Sequence, residues 1–156
     1  MVFANNAYTR QEMIKFWVRA MRLRTLPLSL SGLILGGALA HSQSHFSWTI
    51  FTLSILSGVF LQILSNFAND YGDAQKGSDG KGRLGEKRMV ASGLISPRQM
   101  LNACYIMIFC IIISAGLLFW FSFKQNWLAW GIFAILLLCS ILAALFYTIG
   151  KNAYGY

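Results

Sequence analysis

Four apolar runs, separated by polar connections, set the pattern of the chain. They cover positions 26–40, about 48–67, about 101–123 and 127–149. A helix needs about 20 apolar residues to cross a bilayer, so the last three runs are long enough. Tilt, or extension into the preceding turn, makes up the length of the first. The pattern predicts an all-α fold, a polytopic transmembrane helical bundle with four spans.

The composition agrees with a membrane protein. Hydrophobic residues make up 56% of the chain and charged residues only 12%. A soluble domain of 156 residues could not bury so much apolar surface. The formal net charge of +8 would by itself favour a nucleic-acid-binding protein. Together with the hydrophobicity, the charge predicts that the protein's partner is a lipid bilayer and that it does not bind nucleic acid.

Basic residues concentrate in two segments, one before the first run and one between the second and third. These residues are Arg10, Lys15, Arg19, Arg22 and Arg24, then Lys76, Lys81, Arg83, Lys87, Arg88 and Arg98. The connections at about 41–47 and 124–126 hold only Lys124. The positive-inside rule therefore predicts a multi-pass protein of the cell inner membrane, with the N-terminus and the loop 69–99 in the cytoplasm. An aromatic belt is predicted at the outer face, from Trp48, Trp120, Trp127 and Trp130.

The segment 1–25 is predicted to form a basic amphipathic helix on the inner membrane surface. Apolar residues recur at helical spacing on one face and basic residues occupy the other: Ile14, Trp17, Val18 and Met21, against Lys15, Arg19 and Arg22. A secretory signal peptide is the alternative, because Ala38-Leu39-Ala40 imitates a cleavage site. A mature chain beginning at His41 would contradict the four-span interpretation.

A polar stripe ends the second predicted helix. At about 100° per residue, one side carries Gln62, Asn66, Asn69, Asp70 and Asp73, while Ser65, Phe67 and Ala68 point elsewhere. Lipid does not solvate such a stripe, so we expect it to face protein or a water-filled cavity.

Three of the five acids in the chain, Asp70, Asp73 and Asp79, lie in this stripe or just after it. Like charges this close favour a shared cation, and carboxylate and amide oxygens suit Mg²⁺ bridged to a phosphate. The surrounding basic residues suit a polyanion: Lys76, Lys81, Arg83, Lys87 and Arg88. The sequence thus predicts a diphosphate site. The alternative is that the acids cap the helix and pair with basic residues that only set topology.

At these residues the chain resembles the UbiA-type membrane prenyltransferases, whose first aspartate-rich motif reads Asn-Asp-x-x-Asp-x-x-x-Asp. Here the motif is Asn69-Asp70-Tyr71-Gly72-Asp73, with Gly77 at the last acidic position and Asp79 two residues later. That shift resembles the menaquinone branch of the family. Further matches lie at positions 24–27, 61–66, 147–150 and 154–156.

The resemblance implies Mg²⁺-dependent transfer of a polyprenyl group from polyprenyl diphosphate to 1,4-dihydroxy-2-naphthoate, giving demethylmenaquinone. It implies Asp70 and Asp73 as catalytic residues and, with Asp79, as metal ligands. It implies four residues that bind the diphosphate: Asn66, Asn69, Arg88 and Lys151.

Family members carry a second aspartate-rich motif and further spans, whereas the only acid after Asp79 here is Glu86. We therefore expect the N-terminal half of such an enzyme, with a segment 1–25, a membrane portion 26–149 and the start of a loop at 150–156. A small four-helix membrane binding or transport protein, with the acidic stripe lining a cation path, is the alternative.

Overall fold

The computed structural model describes residues 8–77, 88–150 and 153–155. Within these ranges the chain forms five α-helices, one short 3-10 helix (Leu23–Thr25) and no strand. The helices are α1 (Arg10–Met21), α2 (Leu26–Ser42), α3 (Trp48–Lys76), α4 (Pro97–Phe123) and α5 (Trp127–Phe146). The all-α prediction is confirmed.

Four helical stretches in the described ranges are long and apolar enough to cross a bilayer, the first being α1 and α2 taken together. The remaining three are α3, α4 and α5. The chain is therefore a multi-pass membrane protein by the length and composition of its helices, as the apolar runs predicted.

Side-chain caps explain where four of the five described α-helices begin. The Thr9 side chain accepts a hydrogen bond from the Glu12 backbone N–H, and Ser96 caps α4 in the same way, with Gln99 closing a capping box. Ser47 and Asn126 cap the first turns of α3 and α5. These side chains satisfy N–H groups that have no partner inside the helix.

Two predicted boundaries were wrong. The loop expected from position 69 begins later, because α3 continues to Lys76 and ends at Gly77 in the left-handed conformation (φ 64°). The fourth span was expected to reach position 149, but α5 ends at Phe146, and the chain turns back on itself before Gly150 (φ 106°). At both places, polar groups make hydrogen bonds to distant parts of the chain. The pattern of apolar residues does not predict such contacts.

Helix α3 is the centre of the bundle, and it contacts each of the other four α-helices. Its residues Leu64, Phe67 and Ala68 are fully or almost fully buried. A hydrogen bond of 2.9 Å joins Ser57 of α3 to Ser114 of α4. Such small hydroxyl residues let membrane helices approach closely and bond across their interface.

Helix α1 packs on α3 through one face. Phe16, Trp17, Ala20 and Met21 contact the core, and the Trp17 and Phe67 rings lie 5.7 Å apart. Two other members of the predicted apolar face lie outside this contact, since Ile14 is 56% exposed and Val18 is 43% exposed. That α1 lies on the inner membrane surface stays a prediction.

Trp48, Trp120 and Trp127 lie at one end of the bundle, where α3 begins, α4 ends and α5 begins. All three are largely exposed, as residues of a membrane interface are. We call this end the tryptophan end, and the opposite end, where α3 ends and α4 begins, the polar end. Which end faces the cytoplasm stays a prediction from charge.

Gly72 allows α3 to meet the chain that follows α5 at the polar end. A Cβ atom at position 72 would overlap the backbone carbonyl of Thr148. We expect Gly72→Ala to lower the free energy of unfolding by about 1–3 kcal/mol, because the backbone must shift. Reversible unfolding in detergent micelles measures this. Gly116→Ala is the matched control, since a Cβ atom there meets nothing within 4 Å; equal losses in both variants would contradict the prediction.

Candidate functional site

The polar residues of α3 divide into two groups at the polar end. Asn66, Asp70 and Asp73 are buried in protein, with 4%, 2% and 5% of their surface exposed. Gln62 and Asn69 instead line a cavity. Ser65 joins them there, although it was expected to point away from the stripe. The cavity meets the side of α3 that carries Ser65 and Asn69, whereas the two acids are buried against protein. The predicted stripe is therefore divided between two surfaces, and Ser65 belongs to the one at the cavity.

The cavity has a volume of about 510 Å³ and lies between α2, α3 and α5. Along α3 its wall runs from Gly58 to Asn69, about 16 Å of helix axis. The wall is apolar at Gly58, Leu61, Ala143 and Ala144, and it is polar at Ser29, Gln62, Ser65 and Asn69. Tyr147 and Tyr154 complete it.

The chain after α5 fixes Asn69 on this wall. The buried Thr148 hydroxyl has two acceptors for its one hydrogen, the Ala68 carbonyl at 3.0 Å and the Asn69 side-chain oxygen at 3.1 Å. The Tyr154 hydroxyl donates to the Ala143 carbonyl at 2.9 Å. These bonds turn residues 147–155 back over the end of α5, so that two tyrosines reach the cavity.

Asp70 is held by the backbone of the connection between α3 and α4. Its two carboxylate oxygens accept hydrogen bonds from the backbone N–H groups of Met89 (2.9 Å) and Val90 (3.0 Å). Charge-assisted bonds of this kind are stronger than neutral ones. Both oxygens of this nearly inaccessible carboxylate therefore have partners in the protein.

Asp73 lies one turn further along α3 and forms an ion pair with Arg88. Both residues are buried, so each charge depends on the other for compensation. The three residues Asp70, Asp73 and Arg88, which the sequence analysis placed in one site, do lie together.

Asn66 lies one turn before Asp70 on α3 and contacts the connection between α1 and α2. Its side-chain NH₂ donates to the Met21 carbonyl (2.8 Å) and to the Thr25 hydroxyl (3.2 Å). Gln62 donates to the same hydroxyl, and Ser29 donates to Gln62. Asn66 thus satisfies a carbonyl at the end of α1. Its predicted contact with diphosphate stays a prediction, and this geometry does not favour it.

The residues fit a divalent metal in part. Asp73 suits a metal, because its ionic partner is a side chain that an ion can replace. Asp70 suits it poorly, because both of its oxygens already hold backbone N–H groups. No group of three His, Cys, Asp or Glu residues that could hold a metal occurs within residues 8–77, 88–150 and 153–155. The predicted ligand Asp79 and the predicted diphosphate contact Lys151 lie outside the described residues.

Sequence reasoning missed Ser29, Thr25, Thr148 and Tyr154 as residues around the site. Thr25, Thr148 and Tyr154 lie in the short stretches that carry the family resemblance, which is the one signal that pointed to them. Their contacts join segments up to 80 positions apart, so no local spacing reveals them.

The fold and the site together define a class: a polytopic helical membrane protein with a buried acidic site, paired with arginine, at the polar end of its bundle. Residues 30–155 match the UbiA prenyltransferase family, and the chain belongs to that family.

Curated relatives are named 1,4-dihydroxy-2-naphthoate octaprenyltransferase. The chain is 41% identical to the one from Escherichia coli (strain K12) over 141 residues, which cover 90% of this chain and 45% of the relative. It is 37% identical to the one from Haemophilus influenzae, over 93% of this chain and 47% of the relative. It is 34% identical to the one from Mycobacterium tuberculosis, over 90% of this chain and 45% of the relative. The chain spans about half the length of these relatives. No solved structure matches it.

Asn66 provides a test of the packing beneath the site. We expect Asn66→Leu to lower the free energy of unfolding by about 1–3 kcal/mol, because the Met21 carbonyl and the Thr25 hydroxyl lose a buried donor. Unfolding in detergent micelles measures the loss. Asn102→Leu, on an exposed position of α4, is the matched control and should change stability little. The same loss in both variants would show that Asn66 makes no special contribution.

Proposed function

We propose that this chain forms the first aspartate-bearing part of a site that transfers a polyprenyl group from polyprenyl diphosphate to 1,4-dihydroxy-2-naphthoate. The observation that carries the proposal is the cavity beside α3, whose polar residues continue toward the ion pair of Asp73 and Arg88. Family membership and the names of the relatives support the same reaction.

The cavity suits an amphiphilic substrate. An isoprenoid chain is apolar and fits beside Leu61, Ala143 and Ala144, which form the apolar part of the wall. A diphosphate group needs polar and cationic partners. Asn69 lines the cavity at the polar end, and the cation that we propose for the diphosphate is Arg88, which is buried beside Asp73 four residues further along α3. A substrate oriented in this way keeps its hydrocarbon inside the membrane and its charge at the surface.

Magnesium is the proposed cofactor. Asp73 and Asp79 would hold it, Asn69 would support them, and Arg88 with Lys151 would contact the diphosphate. When bound, the metal neutralises charge that develops on a leaving diphosphate. The other predicted metal ligand, Asp70, is the one whose oxygens are taken by backbone N–H groups.

The residues of the chain contribute by positioning and by electrostatics. As the bond between the prenyl carbon and the diphosphate oxygen breaks, charge grows on the diphosphate, and a guanidinium in a water-poor setting stabilises that charge. The allylic carbon then bonds to the naphthoate ring, and the ring carboxylate leaves as CO₂. A cavity that excludes water protects the allylic cation from hydrolysis.

Asp73 is the residue whose replacement tests the proposal. Membranes containing the intact gene product are given Mg²⁺, polyprenyl diphosphate and 1,4-dihydroxy-2-naphthoate, and the released diphosphate is measured. We expect Asp73→Asn to lower kcat/KM about a hundredfold or more, because the metal and Arg88 lose their charged partner.

Glu12→Gln is the control, since it removes an exposed carboxylate in the first turn of α1 and should leave the rate unchanged. Full activity in Asp73→Asn would overturn the site assignment. No transfer by the unaltered protein, together with metal-ion flux across vesicles, would favour the alternative of a cation-conducting protein.

We also propose a cell inner-membrane location with the N-terminus in the cytoplasm. The asymmetry of Lys and Arg between the two ends of the bundle supports it. An impermeant maleimide applied to spheroplasts should label Gln125→Cys, at the tryptophan end, and should label Tyr8→Cys only after the membrane is opened. The reverse pattern would invert the topology.

A further inference from the structure

The part of the connection between α3 and α4 that is described after position 87 has buried residues on either side of an exposed tip at Ser92 and Gly93. Met89, Val90 and Ile95 have at most 6% of their surface exposed. The backbone N–H groups of Leu94 and Ile95 both donate to the Met89 carbonyl, and Gly93 takes a left-handed conformation (φ 73°) that closes the turn. Ser92 donates its hydroxyl to the Arg88 carbonyl at 2.7 Å. Residues 88–95 thus form one packed unit, which we call the 88–95 turn.

One side chain of α3 accepts hydrogen bonds from the backbone of this turn. Asp70 accepts the N–H groups of two consecutive residues, Met89 and Val90. The residue just before them is Arg88, whose guanidinium reaches Asp73, one helical turn from Asp70. Three consecutive residues of the turn therefore meet two carboxylates on the same face of α3.

We propose that Asp70 is a positioning residue, which fixes the backbone of the 88–95 turn on α3 and thereby holds Arg88 against Asp73. Without the two hydrogen bonds that Asp70 accepts, the turn backbone can move away from α3 and take Arg88 with it. Backbone N–H groups are alike along the chain, so the burial of the apolar Met89 and Val90 side chains selects which residues lie there. The turn carries its own internal hydrogen bonds, so it moves as a unit if it moves at all.

This assignment separates the roles of the two carboxylates. If Asp70 turned to a metal ion, two buried backbone N–H groups would be left without an acceptor, which is costly in a low-dielectric site. Asp73 forms an ion pair with the Arg88 side chain, and a side-chain charge can change its partner more readily than a backbone N–H group can. In terms of the proposed function, on which this step rests, Asp70 organises the diphosphate-binding Arg88 without touching substrate.

The test compares Asp70→Asn with Asp73→Asn in the full chain in detergent micelles. The two variants are matched, because each replaces a carboxylate with an amide of the same shape on adjacent turns of α3. Hydrogen–deuterium exchange reports the backbone N–H groups of Met89 and Val90. Modification by phenylglyoxal, an arginine-specific reagent, followed by mass spectrometry reports the accessibility of Arg88.

We expect Asp70→Asn to speed exchange at Met89 and Val90 roughly tenfold or more, as the loss of a charge-assisted bond does, and to make Arg88 reactive. Asp73→Asn should make Arg88 reactive while leaving exchange at Met89 and Val90 unchanged. Unchanged exchange in Asp70→Asn would overturn the anchoring. Faster exchange with Arg88 still protected would show that Asp70 stabilises the turn without positioning the arginine.

A measurement on the unaltered protein keeps the proposal testable if Asp70→Asn does not fold. Exchange at Met89 and Val90 is recorded with and without Mg²⁺ and inorganic diphosphate, and we expect no change. Faster exchange on adding Mg²⁺ would mean that Asp70 leaves the backbone for the metal, and the proposal would be wrong. None of these readouts requires prenyl transfer, so a failure of the proposed function is distinguishable from a failure of this inference.

Discussion

A membrane helix that carries polar side chains must find a partner for each of them inside the protein, because lipid offers none. In α3 that requirement is met by three different parts of the chain. Asn66 bonds the end of α1, and Asn69 bonds Thr148 after α5. Asp70 and Asp73 contact the 88–95 turn. The polar groups of one helix thus tie the whole polar end together, and a cavity remains on the flank of that helix.

The two carboxylates of the site have different kinds of partner. Each carboxylate of α3 is compensated differently, Asp70 by backbone N–H groups and Asp73 by a guanidinium. A backbone partner is fixed by the fold, whereas a side-chain partner can move to another anion. In our proposal this difference gives the two acids separate roles, although they belong to one motif and lie on adjacent turns.

Membership of the UbiA prenyltransferase family agrees with this arrangement, since the match at residues 30–155 includes α3, the 88–95 turn and the residues after α5. The chain covers about half of each curated relative, and in this half the polar contacts around α3 are largely complete among the described residues. Helices α2, α4 and α5 have large exposed apolar side chains along their length. The cavity lies between α2, α3 and α5.

Apolar periodicity and charge placement were enough to predict an all-α bundle of four spans, because helix length and burial in lipid follow from local composition. The polar stripe on α3 was also predictable, since side chains at i, i+3, i+4 and i+7 share a face. What the sequence left open was the partner of each polar group. Ser65 faces the cavity, Ile14 and Val18 face away from the core, and Asp70 holds the backbone of residues 19 and 20 positions further on. Those facts depend on contacts between distant segments, and only tertiary packing decides which distant segments meet.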